Sequence, residues 1–304
     1  MNEYRKMILD GLQERYPEYE FHVEKVLRNN GCKYEGLHVK LGEDVPCAPI
    51  IPCELYEEQL KMGKMTLDEV MDDISRQFET RVQFNIRNCA DFAQIKDKLC
   101  LRVINYEKNL ELLKDVPHRR FLDLAITYRI TVVLSDCTEG SILVSNALLK
   151  AWGITENELL DVAYHNTFSR TGVRVRSMWE IVKGVAEREP AMIDLFQAIP
   201  ESDKLMYVAD NGTFFGGGTS ILMKEAFQQL AEKEGHDVYI IPSSIHELIL
   251  VLKKEDIRWE YLRNMVKEIN QSMVVEEEIL SDHIYLYEKE TDKIIDLCTD
   301  KMIF

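Results

Sequence analysis

Apolar residues recur along the chain in two rhythms. Tyr4, Met7, Ile8 and Leu12 fall at helical spacing, so an amphipathic helix runs to about Glu14 and stops before Tyr16-Pro17. From Tyr19 to Leu27 the rhythm changes to alternation, with Phe21 and Val23 set against His22 and Glu24, which predicts a strand. Asn29-Asn30-Gly31 is a turn signal, and Leu37, Val39 and Leu41 share a face on the return strand. Three prolines between Val45 and Pro52 impose an extended loop or sheet edge. Helical spacing resumes at Glu54–Met62 and again after Thr66. There Thr66 and Glu69 have capping-box spacing, and Leu67, Val70, Met71, Ile74 and Phe78 form the stripe.

Strand patterns follow at 99–104 and, as one long strand, at 121–134, with Pro117-His118-Arg119-Arg120 as a solvated turn before it. Glu139-Gly140 turns back into Ile142-Leu143-Val144. Helices are predicted at Asn146–Trp152, from Thr155 (with Glu158 completing a second capping box), and at Ser177–Val185. A strand at 205–209 leads through Asn211-Gly212 into a return strand at 213–215. Gly216-Gly217-Gly218 then precedes a helix capped by Thr219 or Ser220 and carrying Met223, Ala226, Phe227 and Leu230. Val238–Ile241 and Glu247–Leu252 read as strands, and Trp259, Leu262, Val266, Ile269 and Met273 as the stripe of a long helix. Short strands at 283–287 and 293–297 close the pattern. Hairpins mix with helices instead of alternating strictly, so the predicted class is α+β, with mainly antiparallel sheets and flanking helices. A smaller N-terminal lobe (1–90) and a larger C-terminal domain (91–304) are expected.

Several of these segments together resemble a known family. They are Asn29-Asn30-Gly31 through Gly36-Leu37, Trp152-Gly153-Ile154 with Ala163 and Asn166-Thr167, and Asn211-Gly212 with Phe215-Gly216-Gly217. Ile241-Pro242-Ser243-Ser244-Ile245-His246-Glu247 and Ser281-Asp282-His283-Ile284-Tyr285 complete the set. They resemble a bacterial family catalogued only as a domain of unknown function, and the C-terminal half is distantly similar to the uncharacterised YtpQ-like proteins. The resemblance implies a bacterial, intracellular protein and transfers no catalytic residue or cofactor.

Charge narrows the partners. The chain of 304 residues carries 37 Lys+Arg against 53 Asp+Glu, a formal net charge of -16. The first 150 residues hold 21 basic and 25 acidic side chains, so the remaining 16 and 28 concentrate the acidity in the second half. Such a surface repels phosphate backbones and anionic lipid, which argues against nucleic-acid and membrane partners. The polar start is unlike a signal peptide, and no run of about 20 apolar residues occurs. The seven cysteines, an odd number, read as reduced thiols in a cytoplasm.

Four features carry candidate chemistry. Gly216, Gly217 and Gly218 with Thr219 and Ser220 could present backbone N–H groups to a phosphate or carboxylate, although they match neither a Walker loop nor a dinucleotide fingerprint. Arg174 and Arg176, on one face of a strand in the acidic half, could clamp an anion or merely neutralise neighbouring carboxylates. His246-Glu247 lacks the second histidine of a zincin because position 250 is Leu, leaving Ser243-Ser244 as a helix cap. Cys47 and Cys53, like Cys89 and Cys100, are too far apart for zinc pairs, and a nucleophilic Cys137 has no visible partner. No metal or cofactor is expected. The expectation is a non-enzymatic module that binds a protein or small molecule. The alternative is a hydrolase or transferase using the glycine turn with Arg174, Arg176 or His246.

Overall fold

The computed structural model describes residues 3–40, 50–83, 89–135, 138–186, 205–212, 216–242 and 244–303. Cys47, Cys137, Ser243 and the return strand expected at 213–215 lie outside them. Helix α1 (Glu3–Arg15) leads into strands β1 (Glu20–Leu27), β2 (Lys33–Lys40) and β3 (Ile50–Pro52), an antiparallel three-stranded sheet. Helices α2 (Glu54–Lys61) and α3 (Leu67–Gln83) complete this part. The capping box before α3 forms as predicted: the Glu69 N–H donates to Thr66 Oγ1 at 3.3 Å, and the Thr66 N–H donates to Glu69 Oε2 at 2.8 Å. Ile8, Leu12, Leu37, Ile51, Val70, Met71 and Ile74 are buried together in a hydrophobic cluster of their own. Burying each such side chain contributes about 1.5–3 kcal/mol before the entropy of ordering it is counted.

A short helix α4 (Phe92–Ile95) precedes the second sheet, whose strands are β4 (Leu99–Asn105), β5 (His118–Phe121), β6 (Leu124–Ser135) and β7 (Thr138–Leu143). Strand β6 is central and pairs antiparallel with the other three. Here the single strand expected over 121–134, and the solvated turn before it, give way to a hairpin. Phe121 pairs with Leu124 across a two-residue turn, with Leu122 at φ 56. Leucine disfavours that left-handed conformation, so the turn carries no sequence signal. Helices α5 (Asn146–Trp152) and α6 (Glu156–Thr171) follow, α6 with its capping box from Thr155 and Glu158 intact.

The third sheet has seven antiparallel strands in the order β14-β13-β12-β10-β11-β9-β8. They are β8 (Arg174–Ser177), β9 (Met206–Asp210), β10 (Val238–Ile241), β11 (Leu248–Leu252), β12 (Tyr285–Glu288), β13 (Lys293–Asp296) and β14 (Lys301–Ile303). Helices α7 (Met178–Ala186), α8 (Lys224–Glu234) and α9 (Trp259–Ser272) flank it. The fold is therefore α+β. One extended core joins the second and third sheets, with Tyr128, Phe227, Tyr285 and Tyr287 almost wholly buried in it. Leu262 and Val266 of α9 cover the opposite face of the third sheet, against Tyr239, Val251 and Leu286. None of the described helices is long and apolar enough to cross a membrane.

Two local expectations change. Thr219 and Ser220 cap nothing: residues Gly217–Leu222 form a buried 3-10 turn, and the helix begins only at Lys224. Ser244 precedes strand β11 and no helix, its hydroxyl accepting the His246 N–H at 3.0 Å.

The turn at Asn29-Asn30 ties the N-terminal sheet to the C-terminal part. Asn30 Nδ2 donates to the carbonyls of Glu276 and Ile279 at 2.7 and 2.6 Å, and its backbone N–H donates to Asn109 Oδ1 at 2.8 Å. The Asn30 amide, whose Oδ1 also accepts from Asn109 Nδ2 at 3.0 Å, anchors the segment that runs on into residues 281–285.

Candidate functional site

The residues singled out by sequence do converge, around Asp210 at the end of β9. Arg174 sits opposite Asp210 in the β8–β9 ladder and donates Nε and Nη2 to its Oδ1 at 3.0 and 2.7 Å. Arg176 Nη2 donates to Oδ2 at 2.6 Å, and the Gly212 N–H adds another bond at 2.6 Å. Burial pushes the Asp210 carboxyl up, but these donors outweigh it and hold the group below its ordinary value. The glycine run packs beside this pair. A Cβ on Gly217 would stand 1.8 Å from the His246 carbonyl oxygen, and one on Gly218 would stand 2.9 Å from that of Ser244. The Gly218 N–H donates to the Ile245 carbonyl at 3.0 Å, and Thr219 Oγ1 accepts the Val103 N–H at 3.3 Å. Backbone of residues 244–246 therefore lies against Gly217 and Gly218, whereas the Gly216 position faces the Arg102 guanidinium. His246 places Nε2 3.2 Å from Glu278 Oε1. The corner is knitted together by its own groups.

A second polar cluster lies where the second and third sheets meet, and it holds the chemistry that sequence reading passed over. The β5–β6 turn hangs Asp123 over the segment that enters β12. Alternation in that segment sends Ser281, His283 and Tyr285 in one direction. The Ser281 hydroxyl donates to Asp123 Oδ2 at 2.5 Å, and the Tyr285 hydroxyl donates to Asp123 Oδ1. The His283 N–H donates to Ser281 Oγ at 2.9 Å, which locks the loop. On the neighbouring strand, Asp296 pairs with Tyr285 in the ladder and turns a buried carboxylate toward His283. Its Oδ2 lies 3.0 Å from His283 Nδ1 and accepts the Thr299 hydroxyl at 2.6 Å, while Oδ1 accepts the Cys298 N–H at 2.9 Å. Asp123 Oδ2 stands 3.6 Å from the same ring nitrogen.

The electrostatics follow from these distances. The bond to Asp296 raises the His283 pKa, burial opposes it, and the charge of Asp123 adds to the rise, so the net shift is upward. Burial pushes the Asp296 carboxyl up, yet the bonds from His283, Thr299 and the Cys298 N–H outweigh it and the net shift is downward. Burial, reinforced by Asp123, drives the Tyr285 hydroxyl far above its usual range, so it remains a proton donor. His283 is thus held by Nδ1 in the orientation that a carboxylate imposes on an acid–base imidazole. Asn105, Lys108, Asp123, His283, Asp296 and Lys301 line a cleft of about 370 Å³ there.

Two sets of side chains among the described residues bring three ligand atoms within 4.8 Å of one another, as a metal ion would require: His283, Asp296 and Cys298, and separately His22, Glu24 and His38. In the first, burial pushes the Cys298 thiol up, which works against the thiolate a metal needs.

The one signal for the cleft in the sequence is the alternation of Ser281, His283 and Tyr285, three hydrogen-bonding side chains at every second position. Asp123 and Asp296 carry no local mark. A family model described as a family of unknown function (DUF5688) matches residues 1–289, a span that holds Asp123 and His283 and ends before Asp296. No curated protein and no solved structure matches the chain.

Proposed function

We propose, for a chain that belongs to the DUF5688 family of unknown function, that it binds a compact anion in the Asp123–His283–Asp296 cleft, with His283 as the group that exchanges a proton with the ligand. One observation carries this reading: His283 is held through Nδ1 by the buried Asp296 carboxylate at 3.0 Å, while the ring lines the cleft. The bond to Asp296 and the charge of Asp123 raise the His283 pKa against burial and so favour the cationic imidazole. Four carboxylates line the cleft: Asp123 and Asp296 are engaged by Ser281, Tyr285, Thr299 and His283, Glu107 accepts from Arg120, and Asp282 accepts from the Asn270 amide. The exposed ammonium groups of Lys108 and Lys301 stand at the same cleft. An incoming carboxylate or phosphate would complement those cations.

The alternative of an enzyme is favoured by the same Asp–His pair, which matches the acid–base half of a hydrolytic site. Ser281 would not supply the nucleophile, since its buried hydroxyl is committed to Asp123. Hydrolysis here would proceed through water activated by His283. A reducing intracellular setting, a bacterial source and a distant relationship of the C-terminal half to YtpQ-like proteins belong to the proposal. The setting is supported by Cys32, Cys53 and Cys298, which are free thiols. A lobe boundary near residue 90 also belongs to it, supported by the separate core of residues 8–74.

Inorganic phosphate, sulfate and small dicarboxylates provide the test. At one hundred times its Kd, such a ligand adds about 2.7 kcal/mol of stability, a rise in melting temperature of roughly 5 °C or more. That rise should vanish in His283→Gln, and the His283 ring signals should move on titration in NMR spectra. If no member of the panel moves either the melting temperature or those signals, the anion reading fails.

A further inference from the structure

The outer face of the N-terminal sheet carries an arrangement unrelated to the cleft. Strand alternation turns Phe21, Val23 and Leu37 toward the cluster beneath α1 and α3. The intervening positions, His22 and Glu24 of β1 and His38 of β2, therefore share the opposite face. His22 and His38 stand directly across from each other in the antiparallel register, with ring centroids 4.7 Å apart. His22 Nε2 lies 3.0 Å from Glu24 Oε1. One ligand atom from each of the three residues falls within 4.8 Å of the others. Tetrahedral N/O coordination at bond lengths of about 2.0–2.1 Å sets ligand atoms about 3.4 Å apart, so modest side-chain rotation closes the set onto an ion.

A second observation is independent of that spacing. His38 Nδ1 is buried and has no hydrogen-bond partner. A buried imidazole nitrogen without a partner is destabilising, and buried polar atoms in native proteins are rarely left so. A coordinated ion at this cluster would offset that cost. The donor chemistry selects the ion: two imidazoles and one carboxylate suit zinc and its late first-row neighbours, whereas calcium and magnesium prefer all-oxygen shells. Neighbouring strands of one ladder also fix the relative positions of the ligands more tightly than a loop would.

We propose that His22, Glu24 and His38 bind one late first-row divalent cation of the zinc class, with a fourth position left to water or to an external ligand. The test uses the full chain without a histidine tag, titrated with Zn²⁺ by calorimetry and with Co²⁺ by absorption. The expected result is one equivalent bound at this sheet. Affinity should fall at least about tenfold in His38→Gln and in the more exposed His22→Gln, and should be unchanged in Cys298→Ser. Because His22 lies at the surface, its variant keeps the test decisive if His38→Gln fails to fold. The Co²⁺ complex should lack the intense near-ultraviolet band of a thiolate ligand. Failure of Zn²⁺ and Co²⁺ to bind, full binding by His22→Gln, or a thiolate band that disappears in Cys298→Ser would each overturn the assignment.

Discussion

Asp210 and Asp296 are both carboxylates at strand ends of the same seven-stranded sheet, both held below their ordinary pKa by convergent donors, yet they make different corners. Asp210 is met by guanidiniums of the adjacent strand, and both Arg174 and Arg176 direct their donors at it. Asp296 is met by an imidazole, which has a donor position at each end. Holding Nδ1 orients the ring without consuming Nε2. A carboxylate paired with arginine makes a brace, and one paired with histidine makes a group that can still exchange a proton. Packing reinforces the contrast: backbone of residues 244–246 lies over Gly217 and Gly218, whereas a cleft of about 370 Å³ opens beside His283.

The largest effect that would test this contrast is expected at Gly217. Its replacement by Ala forces a Cβ to within 1.8 Å of the His246 carbonyl oxygen and should cost about 3 kcal/mol in urea denaturation. Gly184→Ala, with nothing within 4 Å, should be neutral or stabilise α7 by up to about 1 kcal/mol. A harmless Gly217→Ala would mean that the glycine run has room to admit a ligand.

Asp296→Asn comes next, at about 2 kcal/mol, because it weakens three bonds to a buried group. It should also abolish any phosphate-induced rise in melting temperature. Asp210→Asn should cost about 1–2 kcal/mol, a figure reduced for solvent screening because both arginines are about half exposed. That variant should keep the phosphate response; losing it would place the ligand at the wrong corner.

A smaller effect separates the corners by pH. The folded-state pKa of His283 is raised, so its contribution to stability is complete below the ordinary histidine value and is lost as pH rises through the raised one. The Asp210 pKa is lowered, so its contribution is present above the ordinary aspartate value and is lost only as pH falls through the depressed one. Of the two corners, only the cleft should therefore lose stability as pH rises above the ordinary histidine value, and His283→Gln should remove that part of the decline in denaturation series. The smallest effect belongs to Arg174→Gln. One half-exposed partner of a pair that keeps Arg176 and the Gly212 N–H should cost less than about 1 kcal/mol in the same measurement.

What could be read from the chain follows the reach of local physics. Thr66 with Glu69, and Thr155 with Glu158, mark helix starts because a capping box is complete within four residues. Phe21 and Val23 alternate because a strand shows every second side chain to the core. Local signals are weak where tertiary packing sets the conformation. The Leu122-Asp123 turn has no glycine or asparagine to announce it, so a hairpin looked like one strand. Thr219 and Ser220 looked like caps until tertiary packing buried them in a 3-10 turn.

The candidate sites show the same limit. The pairing of Arg174 and Arg176 with a nearby carboxylate was foreseeable as neutralisation within an acidic half, and the partner turned out to be the facing residue of the next strand. Asp123 comes from a hairpin turn of the second sheet, and His283 and Asp296 from adjoining strand ends of the third, and no local motif relates them. Periodicity, capping and charge thus determined the elements, the α+β class and the exclusion of a long apolar helix, because each acts between residues close in sequence. Which carboxylate meets an arginine and which meets a histidine was decided by strand pairing within the third sheet, and Asp123 joined His283 only when the second sheet packed against it, through bonds that span up to 162 residues of chain.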